Sequence, residues 1–412
     1  MNTRERFLAV LDFNKDVHSL KWDFGIWGEA VDNWYAQGLP KKNYPVLNDT
    51  LTTPTASLYG RAWRSVGEGK LAKGIGVMVG GLYWPTQNFP LGIDVRDHFH
   101  MDQNQQLVDV NQLACPMFPF ELRFEDERYW DFMDCDGVVK RFQKEPQTMP
   151  SGWEWPVRDW PSWRKYKDER LRPDRIRDRF PPNWETLARG YKNRDFPLAL
   201  GGFPHGFFGT PAHLMGYDSL FIAYFEAPDL VHDIVKTFTD LWIAIYEEVL
   251  SFTSVDHYHI WEDISFGRGS MVSDEVIREF QMPYYKRMTS FLKEHGVRHI
   301  FLDTDGDCRK IIPIFIESGI TGMYPFEWHC GMRVEEIRKQ FPSLVLMGGI
   351  PKSEIVHGKA RIDEILAPIA ETLKHGGYIP FGDHFVPPEV DWKNYSYFRE
   401  TLHSMMDKAG GK

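Results

Sequence analysis

The chain lacks several features that would assign a protein to a class at once. Its 412 residues carry a net charge of −10 and contain no Lys/Arg-rich cluster, which disfavours nonspecific binding to nucleic acid or to an acidic membrane. No apolar run approaches the roughly 18 residues that a transmembrane helix needs. The N-terminal sequence MNTRERF has no apolar segment typical of a secretory signal. We therefore expect no nucleic-acid partner, no membrane association and a cytoplasmic location.

Cysteine is scarce. The four cysteines, Cys115, Cys135, Cys308 and Cys330, lie far apart and form no CxxC motif. Disulfide frameworks and structural zinc sites need closely patterned cysteines, and free thiols fit a reducing compartment. The cysteine pattern therefore predicts no disulfide scaffold and agrees with a cytosolic protein.

Aromatic residues are abundant instead. Phe, Trp and Tyr make up 15% of the chain, with 15 Trp among them. Large aromatic side chains fill cores and also line pockets for flat ligands, so both uses stay open for the N-terminal group. That group consists of Trp22, Phe24, Trp27, Trp34, Tyr35, Trp63, Tyr83 and Trp84.

The second half of the chain alternates apolar runs with helical patterns. The apolar runs lie at 197–203, 257–262, 298–303, 320–326, 344–349 and 377–382. The helical patterns between and after them lie at 230–252, 273–294, 333–340 and 361–375. With further strands near 17–24 and 74–82, the pattern predicts eight strands and an α/β fold. We expect a distorted (β/α)8 TIM barrel, with a doubly wound open sheet as the alternative.

A different texture interrupts this pattern between residues 112 and 180. Two partly alternating segments, 118–125 and 129–135, are followed by Asp136-Gly137, a dipeptide typical of a β-hairpin turn. We predict an antiparallel hairpin and loop insertion over 112–180 within a single TIM-barrel domain of residues 1–412.

Acidic residues close several of the predicted strands. Asp303, Asp305 and Asp307 follow one apolar run, Glu262 and Asp263 end another, and further polar residues follow the rest. Since the carboxyl ends of parallel strands meet at one rim, these side chains predict an enzyme site there. Asp307 could instead cap the following helix. The other candidates at strand ends are Asp23, His205, Glu327, Asp383 and His384.

Five segments stand in a characteristic order and spacing: RERFLAVLDF (4–13), SDEVIREFQMPYYK (273–286), GITGMYPFE (319–327), LMGGI (346–350) and GGYIP (376–380). In these segments the chain resembles the uroporphyrinogen decarboxylase superfamily. The resemblance implies a distorted TIM barrel. The superfamily also includes methyltransferases that depend on a corrinoid cofactor.

Two departures from the family pattern bear on function. The decarboxylases carry an arginine-bearing loop that corresponds to residues 20–27 here, where no arginine is present. A substrate with eight carboxylates needs Arg or Lys partners, so uroporphyrinogen is disfavoured. The zinc methyltransferases carry His-x-Cys-Gly and a later Cys, which correspond to Asp303, Asp305 and Asp383 here. Asp303, Asp305 and His384 would then form a tentative site for zinc or another divalent metal.

The resemblance and the acidic rim together predict methyl transfer. The expected substrate is a small methylated compound such as an aryl methyl ether, and the acceptor is a corrinoid (cobalamin) carried by a partner protein. The predicted catalytic residues are Asp303, Asp305, Glu262, Asp383 and His384, and the predicted substrate-binding residues are Trp22, Asp23, Trp27, His205 and Glu327.

Two alternatives remain at this point. A metal-free decarboxylase or lyase acting on a small carboxylated substrate would need a cation near the pocket, with Lys21, Arg268 and His205 as candidates. A binding protein without activity would need none of the acids. The aromatic surface could also serve a homodimer contact.

Overall fold

The computed structural model describes residues 1–41, 78–79, 90–119, 121–144 and 150–410. The predictions that concern Trp63, Tyr83 and Trp84, and most of the predicted strand near 74–82, fall outside these residues.

A curled parallel sheet of seven strands forms the centre of the protein. The strands are β1 (Gln106–Leu107), β2 (Leu198–Gly201), β3 (His257–Trp261), β4 (His299–Asp303), β5 (Gly322–Tyr324), β6 (Val345–Met347) and β7 (Tyr378–Ile379). Every neighbouring pair is parallel and follows chain order. Strands β2 to β7 each lie inside one of the six predicted apolar runs, which confirms the α/β class and the barrel-like arrangement.

The predicted strand at 17–24 is wrong in its details. This segment is irregular, but it bonds to both edges of the parallel sheet. The Ser19 hydroxyl donates to the Tyr378 carbonyl (2.7 Å) next to β7, and the Trp22 indole donates to the Gln103 carbonyl (2.9 Å) before β1. Ile26 forms a parallel bridge with Val386. The segment therefore connects the two sheet edges without forming a regular strand.

The neighbouring pair of short strands also differs from the prediction. Ile26–Trp27 pairs antiparallel with Met78–Val79 rather than joining the parallel sheet. Among the described residues, the first strand of the parallel sheet is instead Gln106–Leu107, which is too short to be recognised from its sequence.

Helices cover the outside of the sheet, and each of the four predicted helical patterns starts within two residues of an observed helix start. The α-helices are Thr3–Leu11, Gly28–Gln37, Pro90–His98, Trp160–Arg170, Trp184–Tyr191, Gly209–Met215, Tyr217–Glu226, Pro228–Phe252, Asp274–Val276, Met282–Glu294, Ile312–Glu317, Val334–Gln340, Lys359–Leu373 and Trp392–Ala409. A π-helical turn, Ile277–Gln281, joins helices Asp274–Val276 and Met282–Glu294. The Ser273 hydroxyl caps the first of these two helices by accepting from the Val276 amide (3.3 Å). None of the described helices is long and apolar enough to cross a membrane.

A second sheet lies within the interval 112–180. Its four antiparallel strands, in spatial order, are Glu121–Glu125, Tyr129–Met133, Val139–Gln143 and Ser151–Glu154. The Asp134 side chain fixes the turn between the second and third strands by accepting from the amides of Asp136 (2.9 Å) and Val138 (3.3 Å). We call these four strands the antiparallel sheet.

The alternation of side chains along the strands divides the core in two. On β4, Ile300 and Leu302 pack outward under the helices, while Phe301 points into the barrel-like interior. The interior group includes Trp22, which is fully buried beside Phe7 (ring centroids 5.3 Å apart). Trp22 is thus a core residue. Of the two uses considered for the N-terminal aromatics, core filling and pocket lining, this position shows core filling.

Candidate functional site

A cavity of about 490 Å³ opens where the carboxyl ends of β2, β3 and β4 meet the antiparallel sheet. Trp261 and Asp303, which end β3 and β4, are paired in register at its floor. The remaining lining residues are Phe24, Val138, Lys140, Pro150, Ser151, Gly152, Trp155, Phe203, Ala212, His213, Tyr217, Asp263, Asp305, His384 and Phe385. The lining is mainly apolar and includes several aromatic rings, with three carboxyl groups on the side of the parallel sheet.

Asp263 is the first of these acids, and it stands two residues beyond β3. Its backbone lies in the left-handed region (φ 44°), which a short polar residue tolerates. Burial raises the pKa of Asp263 to about 7, and the negative charge of Glu327 adds to the effect. The Asp305 amide and the Trp261 side chain donate to the carboxyl group and partly oppose the shift.

Asp305 faces Asp263 from the loop after β4. Burial raises the pKa of Asp305 well above its usual range, and the charges of Asp263 and Glu327 act in the same direction, while Lys352 opposes them. Gly306 allows this loop to approach a neighbouring hairpin, because a Cβ at that position would lie 2.5 Å from the Phe266 carbonyl oxygen. Two acids held this close keep at least one proton near neutral pH, so the pair can act as a general acid.

His384 stands beside Asp305. Its Nε2 atom lies 3.7 Å from Oδ2 of Asp305, and its ring stacks on Phe24 with centroids 4.7 Å apart. Burial lowers the pKa of His384 to about 3, and the Lys352 ammonium acts in the same direction. The imidazole is therefore neutral at pH 7 and positions a polar edge against the acid.

Asp303 connects the cavity floor to polar groups inside the barrel-like interior. Its Oδ2 atom lies 3.9 Å from Nε2 of His259, and the Tyr324 hydroxyl lies 2.8 Å from Nδ1 of the same histidine. Burial lowers the pKa of His259 well below its ordinary value, so this histidine is neutral. The predicted catalytic residue Asp303 therefore lines the cavity and also lies close to His259 in the interior.

Glu262 does not line the cavity, because alternation along β3 turns it away from Trp261 and Asp263. Its carboxyl oxygens accept from the amides of Phe207 (2.9 Å), Phe208 (2.7 Å) and Gly209 (2.7 Å), and from the Tyr285 hydroxyl. Burial raises its pKa to about 7, against the effect of these four donors. The predicted catalytic Glu262 therefore lies where it anchors the start of helix Gly209–Met215.

Three further predicted site residues hold rim loops in the same way, and none lines the cavity. Asp383 accepts from the amides of Trp328 (2.9 Å) and Lys352 (3.0 Å). Glu327 accepts from the Gly306 amide (2.8 Å). Asp23 accepts from the Tyr395 hydroxyl (2.6 Å), with Arg399 at 3.6 Å, and burial raises its pKa.

His205 and Trp27 are also outside the cavity lining. His205 is buried against the Trp242 ring (centroids 3.7 Å apart), and its ring nitrogens contact the hydroxyls of Tyr258 and Tyr246. Trp27 packs on Phe385 at 5.8 Å, behind the lining residue. Of the predicted site residues, the structure brings together Asp303, Asp305 and His384 at the cavity.

The predicted metal ligands do not form a compact set. Within the described ranges, the only group of three or more His, Cys, Asp or Glu side chains with ligand atoms within 4.8 Å of one another is Asp134, Asp136 and His213. Asp303, Asp305 and His384 are more widely spaced than this. Since a preformed zinc site needs its ligands at a shared distance of about 2 Å from one ion, these three residues do not fit zinc as they stand.

The opposite wall of the cavity carries basic side chains that the sequence did not signal. Lys140, on the third strand of the antiparallel sheet, forms a buried ion pair with Asp134. His213, on helix Gly209–Met215, contacts Oδ2 of Asp136 through Nε2 at 3.2 Å. The candidates for a cation named earlier lie elsewhere: Lys21 pairs with Asp407 at 2.8 Å, and Arg268 is exposed.

Several lining residues were missed by sequence reasoning. Asp263 stood next to the chosen Glu262, and strand alternation placed 261 and 263 on one face, so a signal for it was present. Lys140, His213 and Trp155 had none, because they come from segments distant in the chain that meet only in the folded protein.

Comparison with known proteins agrees with the fold. The family model described as uroporphyrinogen decarboxylase (URO-D) matches residues 148–405. A solved structure described as a methyltransferase from Methanosarcina mazei has a similar fold, with a TM-score of 0.56, 14% sequence identity and coverage of 99% of both chains. A search of curated proteins gave no match. The family match covers more than half of the sequence, so the chain belongs to the uroporphyrinogen decarboxylase (URO-D) family.

Proposed function

We propose that this protein is a methyltransferase that moves a methyl group from a small aryl methyl ether to a corrinoid carried by a separate protein. The observation that carries the proposal is the pair Asp263 and Asp305, whose pKa values are raised and which face an aromatic cavity. The fold similarity to a methyltransferase is consistent with this proposal.

The proton is the protein's main contribution to such a reaction. When the bond between the methyl carbon and the ether oxygen breaks, its electron pair stays on the oxygen, and the methyl group leaves to the acceptor. An aryloxide is a poor leaving group unless it is protonated. The Asp263–Asp305 pair holds a proton near neutral pH and can deliver it to that oxygen, leaving a phenol and a carboxylate.

The aromatic lining supplies the binding of the ring. Phe203 meets Trp261 edge to face with centroids 4.7 Å apart, and Trp155 and Phe385 complete the walls. A volume of about 490 Å³ accommodates a substituted benzene ring while leaving space for a reaction partner. Aromatic side chains supply a large contact area for flat rings at a low cost in side-chain entropy.

A corrinoid in its reduced Co(I) state would supply the nucleophile that accepts the methyl group. The open side of the cavity must then admit the partner's cofactor. No step is assigned to zinc, because Asp303, Asp305 and His384 do not gather as a ligand set.

The direct test is an assay of O-demethylation. The purified protein would be mixed with reduced cobalamin under anaerobic conditions, and with methoxybenzene derivatives as methyl donors. We expect formation of the corresponding phenol and a parallel change in the cobalt absorption spectrum. Phenol formation that is independent of reduced cobalamin, or no phenol with any donor, would contradict the proposal.

Decarboxylation is the second candidate, and the presence of Lys140 in the cavity favours it. A buried ammonium can hold a carboxylated substrate, which the predicted cations Lys21, Arg268 and His205 cannot do from their positions. This function predicts CO2 release from an aromatic carboxylate without any cobalamin. The assay above separates the two functions by its requirement for the cofactor.

A further inference from the structure

A buried charged group stands on the wall of the cavity formed by the antiparallel sheet. It consists of Lys140, Asp134, Asp136 and His213, and all four side chains are less than 10% exposed. We call these residues the basic wall, because Lys140 and His213 line the cavity whereas the two aspartates do not.

The two aspartates hold the basic side chains in place. Asp134 forms the ion pair with Lys140 and also accepts from two turn amides. Asp136 contacts His213 at 3.2 Å. Because burying an ammonium without a counter-charge is costly, Asp134 makes the position of Lys140 at the cavity tenable.

An aromatic path leads from the basic wall to the acid pair. The Lys140 ammonium lies 5.6 Å from the centroid of the Phe203 ring, and the His213 ring meets the same ring edge to face at 5.7 Å. Phe203 in turn contacts Trp261, whose side chain donates to Asp263. A flat ligand lying along Phe203 and Trp261 would therefore have one end near the basic wall and the other near the acids.

We propose that the cavity selects aryl methyl ethers that carry a carboxylate on the ring, with the carboxylate bound by Lys140. The inference rests on the proposed function, because the methoxy group must then lie at Asp263 and Asp305. An ammonium has three N–H donors, so Lys140 can bind Asp134 and still form a charge-assisted hydrogen bond with a substrate carboxylate. Such a bond is stronger in a water-excluded cavity.

The same residues could attract a divalent metal ion, since Asp134, Asp136 and His213 have ligand atoms within 4.8 Å of one another. Lys140 argues against this use, because its ammonium already occupies the position beside Asp134 that an ion would need. Two cations at one carboxylate would repel each other.

The test compares two ligands that differ in charge and have nearly the same shape, 4-methoxybenzoate and 4-methoxybenzamide. Binding is followed by quenching of tryptophan fluorescence and by calorimetry, without any cofactor or turnover. We expect the wild-type protein to bind the benzoate about tenfold more tightly than the benzamide. Lys140→Met should abolish the preference by weakening only the benzoate. Equal binding of the two ligands by the wild type, or an unchanged preference in Lys140→Met, would overturn the proposal.

Two controls keep the result interpretable. Asp134→Asn combined with Lys140→Met removes both charges, so the fold survives even if Lys140→Met alone unfolds, and the preference should still be lost. Lys144→Met, which removes a lysine paired with Glu125 outside the cavity, should keep the preference. If the benzoate preference depends on Lys140 but no phenol forms with cobalamin, the proposed methyl transfer is contradicted. The proposed binding of a carboxylate by Lys140 is then still supported. Strong binding of zinc or magnesium that Lys140→Met enhances would instead favour a metal site and overturn the anion proposal.

Discussion

The two walls of the cavity differ in how they relate to the family. The rim of the parallel sheet supplies Asp263, Asp303, Asp305 and His384, all within the residues that the URO-D model matches. On the opposite wall, Lys140, its partner Asp134 and the neighbouring Asp136 precede residue 148, whereas His213 lies within the match. Under our proposals, the shared scaffold performs the proton chemistry, and Lys140, outside the family match, binds the carboxylate of the substrate.

The largest expected effect concerns the Asp263–Asp305 pair. Asp305→Asn removes the acid and should lower kcat for phenol formation by about a hundredfold or more, the range of general acid catalysis. Circular dichroism should show an unchanged fold, because the substitution relieves repulsion with Asp263 and Glu327. Asp307→Asn is the matched control two residues away, since Asp307 is paired with Arg309 at 2.7 Å outside the cavity. Equal rates in both variants would show that the Asp263–Asp305 pair is not the general acid.

Substitutions in the basic wall should change the stability of the protein rather than the rate of proton transfer. Lys140→Met leaves Asp134 buried without its partner and should lower the free energy of unfolding by about 3 kcal/mol. Adding Asp134→Asn should restore most of that loss. Urea denaturation of the two variants measures the difference. If the double variant is no more stable than Lys140→Met, the ion pair does not hold this wall.

Substitution of Glu262 tests whether the acids of the rim divide into acids that line the cavity and acids that hold loops in place. Glu262→Gln places an amide against backbone N–H groups that need acceptors, and should lower the free energy of unfolding by about 1–3 kcal/mol. Glu336→Gln, at an exposed position in the first turn of helix Val334–Gln340, should leave it unchanged. A stable Glu262→Gln variant that has lost activity would return Glu262 to the catalytic set.

The pH profile gives the smallest and most graded effect. Burial raises the pKa of Asp263 to about 7 and also raises the pKa of Asp305 well above its usual range, so the pair holds a proton in weak acid and loses it as the pH rises past about 7. Because the protonated form is the active one, kcat should be constant in weak acid and fall as pH rises beyond about 7. The decline should approach about tenfold per pH unit. A rate that rises with pH instead would show that a carboxylate acts as a base.

The sequence predicted the parallel sheet better than the site. Strands β2 to β7 are visible because parallel strands covered on both faces form continuous apolar runs. The segment at 17–24 looked like a strand because it is extended and apolar, yet it bonds to the sheet edges through side chains such as Ser19 and Trp22. Strand β1 has only two residues and no periodic signal.

The residues at the cavity differ from the predicted site residues where the prediction depended on which way a side chain faces. Acids at strand ends were the correct signal, but Glu262 and Asp263 are adjacent and point to opposite sides of the chain. Asp383 and Glu327 have the same sequence setting as Asp305, and only the folded loops show that backbone amides of Lys352 and Gly306 bind them. Lys140 belongs to a strand whose place over the cavity depends on long-range packing.

The way in which residues 19–26 link the two edges of the parallel sheet has a consequence for synthesis of the protein. Their partners Tyr378, Val386, Tyr395 and Arg399 are translated roughly 360 to 380 residues later. A nascent chain therefore cannot complete the rim until almost all of its sequence has left the ribosome. Until that moment Trp22 and Phe24 lack the C-terminal residues Ile379, Phe381 and Phe385, with which they form one buried cluster in the folded protein.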